Sequence, residues 1–353
     1  MTNWFTERVD AAERLFLAAA ERAGAAIERF AHPLPGPHGE PLGTAVARLG
    51  PDRPERMVVT VSGTHGIEGH AGSPIQAAAL DGARGLAPPA GTAILHVHLI
   101  NPWGCAWNRR ENEENVDVFR NLLYADPPFA PNELYDRYEE GINPRAWEGA
   151  ARERSDAIWH AFVDEHGLPT VLGTVRRGQH DHPKGMTYHG RGPSWSRRVV
   201  EAIAEKHLKD VPRVEVLDIH TGYGAFGEAT FISTQGPGER TDRIRRWFAG
   251  RVYALGQDPM MPNHPRGPYH LWERWTGEGR VNMIGLEYGT YSVEERFELF
   301  RANTHIHTYG RLDDAFGRRT AADYRELFYP ADPRWRDRVL EQGLDGLATL
   351  LRD

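Results

Sequence analysis

Apolar residues recur at helical spacing over residues 7 to 31 (Val9, Ala12, Leu15, Phe16, Ala19, Ala23, Ile27, Phe30), predicting an N-terminal amphipathic helix that Pro33-Leu34-Pro35-Gly36-Pro37 ends. The pattern then shortens. Met57-Val58-Val59-Thr60-Val61 is a β-branched apolar run of strand length, left by the turn Ser62-Gly63-Thr64-His65-Gly66, and residues 71 to 80 predict a helix. Residues 93–100 predict a second strand, followed by the loop Asn101-Pro102-Trp103-Gly104. Proline-rich pieces and a charged helical stretch place residues 125–170 outside the sheet. Residues 214–219 predict a strand ending in His220-Thr221-Gly222, with further strands over 229–234 and 281–287 and a basic helix between them from about 238 to 254. Helical segments near 312–328 and 334–351 close the chain. Strands alternating with helices imply an α/β three-layer domain with a central mixed, largely parallel sheet. No repeat, low-complexity tract or linker interrupts it, so residues 1–353 are expected to form one domain.

Composition narrows the function classes. The 353 residues are 40% hydrophobic and 26% charged, an ordinary globular balance. A formal charge of −7 argues against a nucleic-acid partner and offers no polybasic face to a membrane. No apolar run approaches the roughly 20 residues needed to span a bilayer, and the N-terminal segment lacks a basic-then-apolar secretory pattern, so a cytoplasmic location is expected. Cys105 is the single cysteine, which excludes an intrachain disulfide and a thiolate zinc cluster; it is expected to pack. Seventeen histidines make a metal site more plausible.

In open α/β sheets ligands bind beyond the carboxyl ends of the strands, and three strands here end in polar residues. His65 and Glu68 lie three apart across a glycine-flanked turn and can reach one ion. His220 ends a distant strand and completes two imidazoles and a carboxylate, the ligand set of a catalytic zinc with a position open for water. Glu287, flanked by Gly285 and Gly289, is placed to move protons. Asp218, two residues before His220, is assigned to the opposite face of its strand as a packing residue. Each has a plainer alternative. H-x-x-E occurs by chance, a strand-end histidine is often only hydrogen-bonded, and a glutamate is often an ion-pair partner. His180-Asp181-His182 and His305-Ile306-His307 are read as rim and packing histidines rather than a second metal site. A nucleotide-binding sheet would carry G-x-G-x-x-G or a Walker loop, and neither follows any strand.

The order H-x-x-E, N-P-x-G, D-x-x-R-N, then a distant strand-end His and a strand-end Glu resembles the zinc carboxypeptidase superfamily, which includes carboxypeptidase A, the aspartoacylases and the succinylglutamate desuccinylases. The stretch from Val61 to Ser73, with Gly178-Gln179-His180, Pro183, Gly185, Tyr188 and Pro193-Ser194-Trp195-Ser196, is similar to a branch of bacterial carboxypeptidase-like proteins. The resemblance spans about residues 5–350 and implies His65, Glu68 and His220 as ligands of one zinc, with Glu287 as general acid/base. Arg109 or Arg110, with Arg110 preferred, falls at the arginine that polarises the scissile carbonyl. Asp117-Val118-Phe119-Arg120-Asn121 matches the segment whose asparagine and arginine clamp a terminal carboxylate, implying Arg120 and Asn121 as substrate-binding residues. Phe119 replaces the first asparagine and removes one polar arm. The family's mobile tyrosine has only Tyr269 and Tyr288 as candidates. The implied activity is hydrolysis of an amide in a short peptide or a small carboxylate-bearing amide. An N-acyl amino-acid amidohydrolase and a catalytically silent zinc-binding protein are the alternatives.

Overall fold

The computed structural model describes residues 3–124, 126–248, 252–254 and 269–352. Eight strands form one sheet: β1 (Ala26–Ala31), β2 (Gly43–Leu49), β3 (Arg56–Ser62), β4 (Thr92–His98), β5 (Arg213–Phe226), β6 (Ala229–Ser233), β7 (Val252–Ala254) and β8 (Val281–Gly289). Their order is β1-β2-β4-β3-β5-β8-β6-β7. The four central strands β4, β3, β5 and β8 run parallel, while β2 on one flank and β6 on the other pair antiparallel with them. The sheet is therefore mixed and largely parallel, as expected from the strand–helix alternation.

Side chains two apart on a strand share a face, and this sorts the core into two layers. Met57, Val59 and Val61 of β3, Val214 and Val216 of β5 and Met283 of β8 pack with Val199, Val200 and Ile203 of the helix Trp195–His207. Val58, Leu217, Ile219, Ile284 and Leu286 face the other way, against Ile75 of the helix Gly69–Leu80 and Trp335, Val339 and Leu347 of the helix Pro333–Arg352. Helices on both faces are the usual cover for a parallel sheet. Continuing the first face toward the carboxyl ends replaces Val216 by Asp218 and His220, and Met283 by Gly285 and Glu287. The hydrophobic layer thus opens directly into a polar site.

Three expectations are corrected. The N-terminal helix is Val9–Arg22, not 7–31; Gly24, at φ 69°, turns the chain, and Ile27 and Phe30 lie on the edge strand β1. A half-exposed edge strand with scattered apolar residues imitates the helical spacing, and β2 was not anticipated. The basic helix is Glu239–Trp247, and Val252–Ala254 is strand β7; residues 249–251 lie outside the described ones. His305 and His307 sit in a helix that the sequence pattern did not predict, Val293–Thr308. Among the described residues no helix is long and apolar enough to cross a membrane.

Candidate metal centre

β3 ends at Ser62, and the chain turns through a short 3-10 helix, Gly66–Glu68, into Gly69–Leu80. His65 and Glu68 flank that turn. Its backbone is pinned by the next loop, because Gly66 N–H donates to the Arg110 carbonyl (3.0 Å) and Ile67 N–H to the Arg109 carbonyl (2.8 Å). Gly66 must be glycine: a Cβ there would lie 2.3 Å from the Gly104 carbonyl carbon. Asn101 braces the same loop, accepting from Gly104 N–H at 2.9 Å.

His220, on β5, comes to this turn from 152 residues beyond Glu68. His65 Nδ1 lies 3.0 Å from Glu68 Oε1 and His220 Nδ1 2.8 Å from Glu68 Oε2. One donor atom from each residue falls within 4.8 Å of the others. Ligands about 2.0–2.1 Å from a tetrahedral zinc stand about 3.3 Å apart, so the three fit one ion with little movement. Among the described residues no other group of three histidine, cysteine or carboxylate donors converges this closely.

The distal nitrogens decide which atoms would face a metal. His220 Nε2 lies 3.0 Å from Asp218 Oδ2, and His65 Nε2 lies 3.6 Å from Asp117 Oδ1. Thr64 Oγ1 donates to Asp218 Oδ1 at 2.8 Å and fixes that carboxylate. A carboxylate behind an imidazole, as Asp218 stands behind His220, is the usual support for a metal-ligating histidine, fixing its tautomer and orientation. Burial opposes protonation of His220, but Asp218 and Glu68 outweigh it and hold its pKa well above the ordinary histidine value. Burial likewise opposes ionisation of Asp117, yet Arg110 and Arg120 hold its carboxyl well below the usual range. Arg110 Nη1 is 2.5 Å from Asp117 Oδ2, and its Nη2 is 2.6 Å from His65 Nε2.

Glu287 is the register partner of His220 on the neighbouring strand β8. Its Oε2 is enclosed without a hydrogen-bond partner. Burial raises its pKa against the pull of His220, and Glu68 adds to the rise. His65, Glu68, His220, Glu287, Arg110 and Arg120 line one cleft that opens to solvent.

A family model described as a protein of unknown function (DUF2817) matches residues 5–342. The chain belongs to the DUF2817 family. No curated protein matches its sequence. Solved structures similar to this DUF2817 protein include a metallo-carboxypeptidase from Burkholderia cenocepacia, at 13% identity and TM-score 0.43, covering 96% of this chain and 67% of that one. Carboxypeptidase A from Helicoverpa armigera is 11% identical at TM-score 0.46, with 90% and 73% covered. The succinylglutamate desuccinylase from Chromobacterium violaceum is 15% identical at TM-score 0.34, with 90% and 74% covered.

Not every anticipated residue reaches the DUF2817 cleft. Arg109 is buried away from it, its guanidinium held by Asn115 and 3.5 Å from Glu111. Asn121 is fully buried, donating to the carbonyls of His189 (2.7 Å) and Gly192 (2.9 Å) and accepting from Ser194 N–H (2.9 Å). Both side chains brace loops rather than line the cleft. Asp218 corrects the assignment made for it: residues two apart share a strand face, so it lies beside His220 instead of opposite. Tyr288 points into the core, and the side chain of Tyr269 lies outside the described residues. His180 and His182 part company, the first meeting Gly190 O and His189, the second Asp136. Cys105 is buried, its thiol pushed up to about 12 by desolvation. The cleft also holds Arg176 and Arg296, which the motifs did not flag because they arrive on helices outside the sheet.

Proposed function

We propose that this protein is a zinc-dependent hydrolase that cleaves an amide bond in a short peptide or a small carboxylate-bearing amide. The observation that carries this is the orientation of the imidazoles: both Nδ1 atoms turn to Glu68, while His220 Nε2 turns to Asp218 and His65 Nε2 to the Arg110 guanidinium, itself paired with Asp117. His65, Glu68 and His220 would hold the ion, which supplies an acidified water, of pKa about 7, and a Lewis acid for the carbonyl. Glu287 takes the proton of the attacking water and returns it to the leaving nitrogen, for which its unpartnered Oε2 and raised pKa suit it. Arg110 donates to the carbonyl oxygen as negative charge develops there. Arg120 pairs with a substrate carboxylate.

Phe119 favours a second form of the same chemistry, removal of an acyl group from an N-acyl amino acid, since a terminal-carboxylate clamp built on asparagine and arginine is altered here. Incubating the zinc-loaded protein with short peptides and N-acyl amino acids separates the two by which product appears, a C-terminal amino acid or a free acyl acid. Turnover of neither class by protein holding stoichiometric zinc would sink the hydrolase reading.

The carboxylate behind His220 gives a further expected result. Asp218→Asn should lower zinc affinity about 10- to 100-fold while the protein stays folded, measured by competition with a chelating dye. Unchanged affinity would show that Asp218 does not support the ligand.

A further inference from the structure

Phe119 stands where the resemblance has an asparagine, and the structure shows what that side chain does instead. Its ring centroid is 6.0 Å from that of His65 and 5.9 Å from that of His220, so an aromatic wall adjoins both imidazoles. The Arg120 guanidinium lies 5.3 Å from the same ring. Its Nη1 is 3.2 Å from Asp117 Oδ2, and its Nη2 donates to the backbone carbonyl of Arg176 at 2.8 Å. The backbone of Arg176 is thereby tied to Arg120, and its side chain lines the same cleft.

Arg176 belongs to the last turn of the helix Leu168–Arg177, where a cation is favoured by the helix dipole. Leu172 and Val175 of that helix, with Met186 and Phe297, give the cleft an apolar flank beside the guanidinium. The lining carries four arginines (Arg110, Arg120, Arg176 and Arg296), of which Arg110 and Arg120 pair with Asp117 behind the wall, and three carboxylates, of which Glu68 and Asp218 face histidine nitrogens. Burial holds the Arg176 pKa below the ordinary value, and Arg296 and Arg110 depress it further, against Glu287 and Tyr223. A carboxylate entering the cleft offsets the repulsion that Arg296 and Arg110 exert on Arg176.

We propose that Arg176 is the second arm of the carboxylate clamp, taking the place of the polar side chain that Phe119 lacks, and that with Arg120 it selects substrates whose free carboxylate adjoins an apolar or aromatic group. This rests on the hydrolase reading for its reaction but not for its binding. The recognition is charge-assisted and bidentate at the carboxylate, with the neighbouring group packed on Phe119 and the apolar flank.

The test is calorimetric binding of N-acetyl-L-phenylalanine and of its amide to the zinc-loaded protein, with wild type, Arg176→Gln, Arg176→Lys and Arg177→Gln compared. Arg177 carries the same charge one residue on but is exposed and outside the cleft. Wild type is expected to prefer the acid at least about 10-fold, and Arg176→Gln to lose about 10- to 100-fold for the acid but less than about two-fold for the amide. Arg176→Lys should fall between, and Arg177→Gln should match wild type. Retained amide binding shows that Arg176→Gln is folded. Equal loss for acid and amide, no preference in wild type, or the same loss in Arg177→Gln would overturn the proposal. Binding needs no turnover, so the two readings fail separately. A protein that prefers the acid yet cleaves nothing keeps the clamp and loses the hydrolase, whereas cleavage without that preference does the reverse.

Discussion

Alanine at His65, Glu68 or His220 is expected to reduce bound zinc from about one per chain to near zero and to remove hydrolysis with it. The expectation is strong because the set is minimal. With three protein ligands, loss of one leaves two, and among the described residues no other histidine, cysteine or carboxylate completes such a group. The effect should also appear as stability. A ligand held only by the folded state at 1,000 times its Kd adds about 4 kcal/mol, so chelation should lower the melting temperature of the wild type and leave the alanine variants unmoved. Elemental analysis and melting curves with and without chelator read both. A His65→Ala protein that keeps a full zinc complement would place the ion elsewhere and undo the assignment.

Glu287→Gln should behave differently, keeping zinc while losing about 10²- to 10⁴-fold in kcat, the range for a positioned acid/base. Glutamine preserves size and burial but can neither accept nor return a proton. The carboxyl's raised pKa sets the shape of the wild-type pH profile. A general base works when ionised, so activity should fall as the pH drops through its pKa. With that pKa above the ordinary 4.5, the acid limb of kcat/KM should lie at higher pH than an unperturbed glutamate would give. A Glu287→Gln variant with undiminished kcat would remove this residue from the mechanism, whatever the metal does.

How far the sequence revealed this can be followed residue by residue. The buried parallel strands β3, β4, β5 and β8 were legible because a strand covered on both faces is a near-continuous apolar run bounded by turns. β1 escaped because Ile27 and Phe30 fall in step with the preceding helix, and Gly24 is the one turn signal in the short break between them. His65 and Glu68 announce themselves by spacing, and His220 and Glu287 by ending strands. The pairing of His220 with Glu287 across β5 and β8 is a matter of register, which no local pattern encodes. Asp218 was within reach of the two-residue period of its own strand. Arg176 was not, since a side chain brought to the cleft by a helix 44 residues before His220 carries no local mark of its destination.

The sequence separation of 152 between Glu68 and His220 has a consequence for how the protein is made. A growing chain that has emerged through the helix Gly69–Leu80 owns only two of the three donors. The third arrives with β5, and it is in position only when β5 has zipped onto β3 in parallel, a pairing between segments so distant that its closure is slow. On the proposed reading, metal capture is a late event that reports finished assembly of the sheet, and a chain misregistered at β5 by one residue would turn His220 to the other face and remain empty.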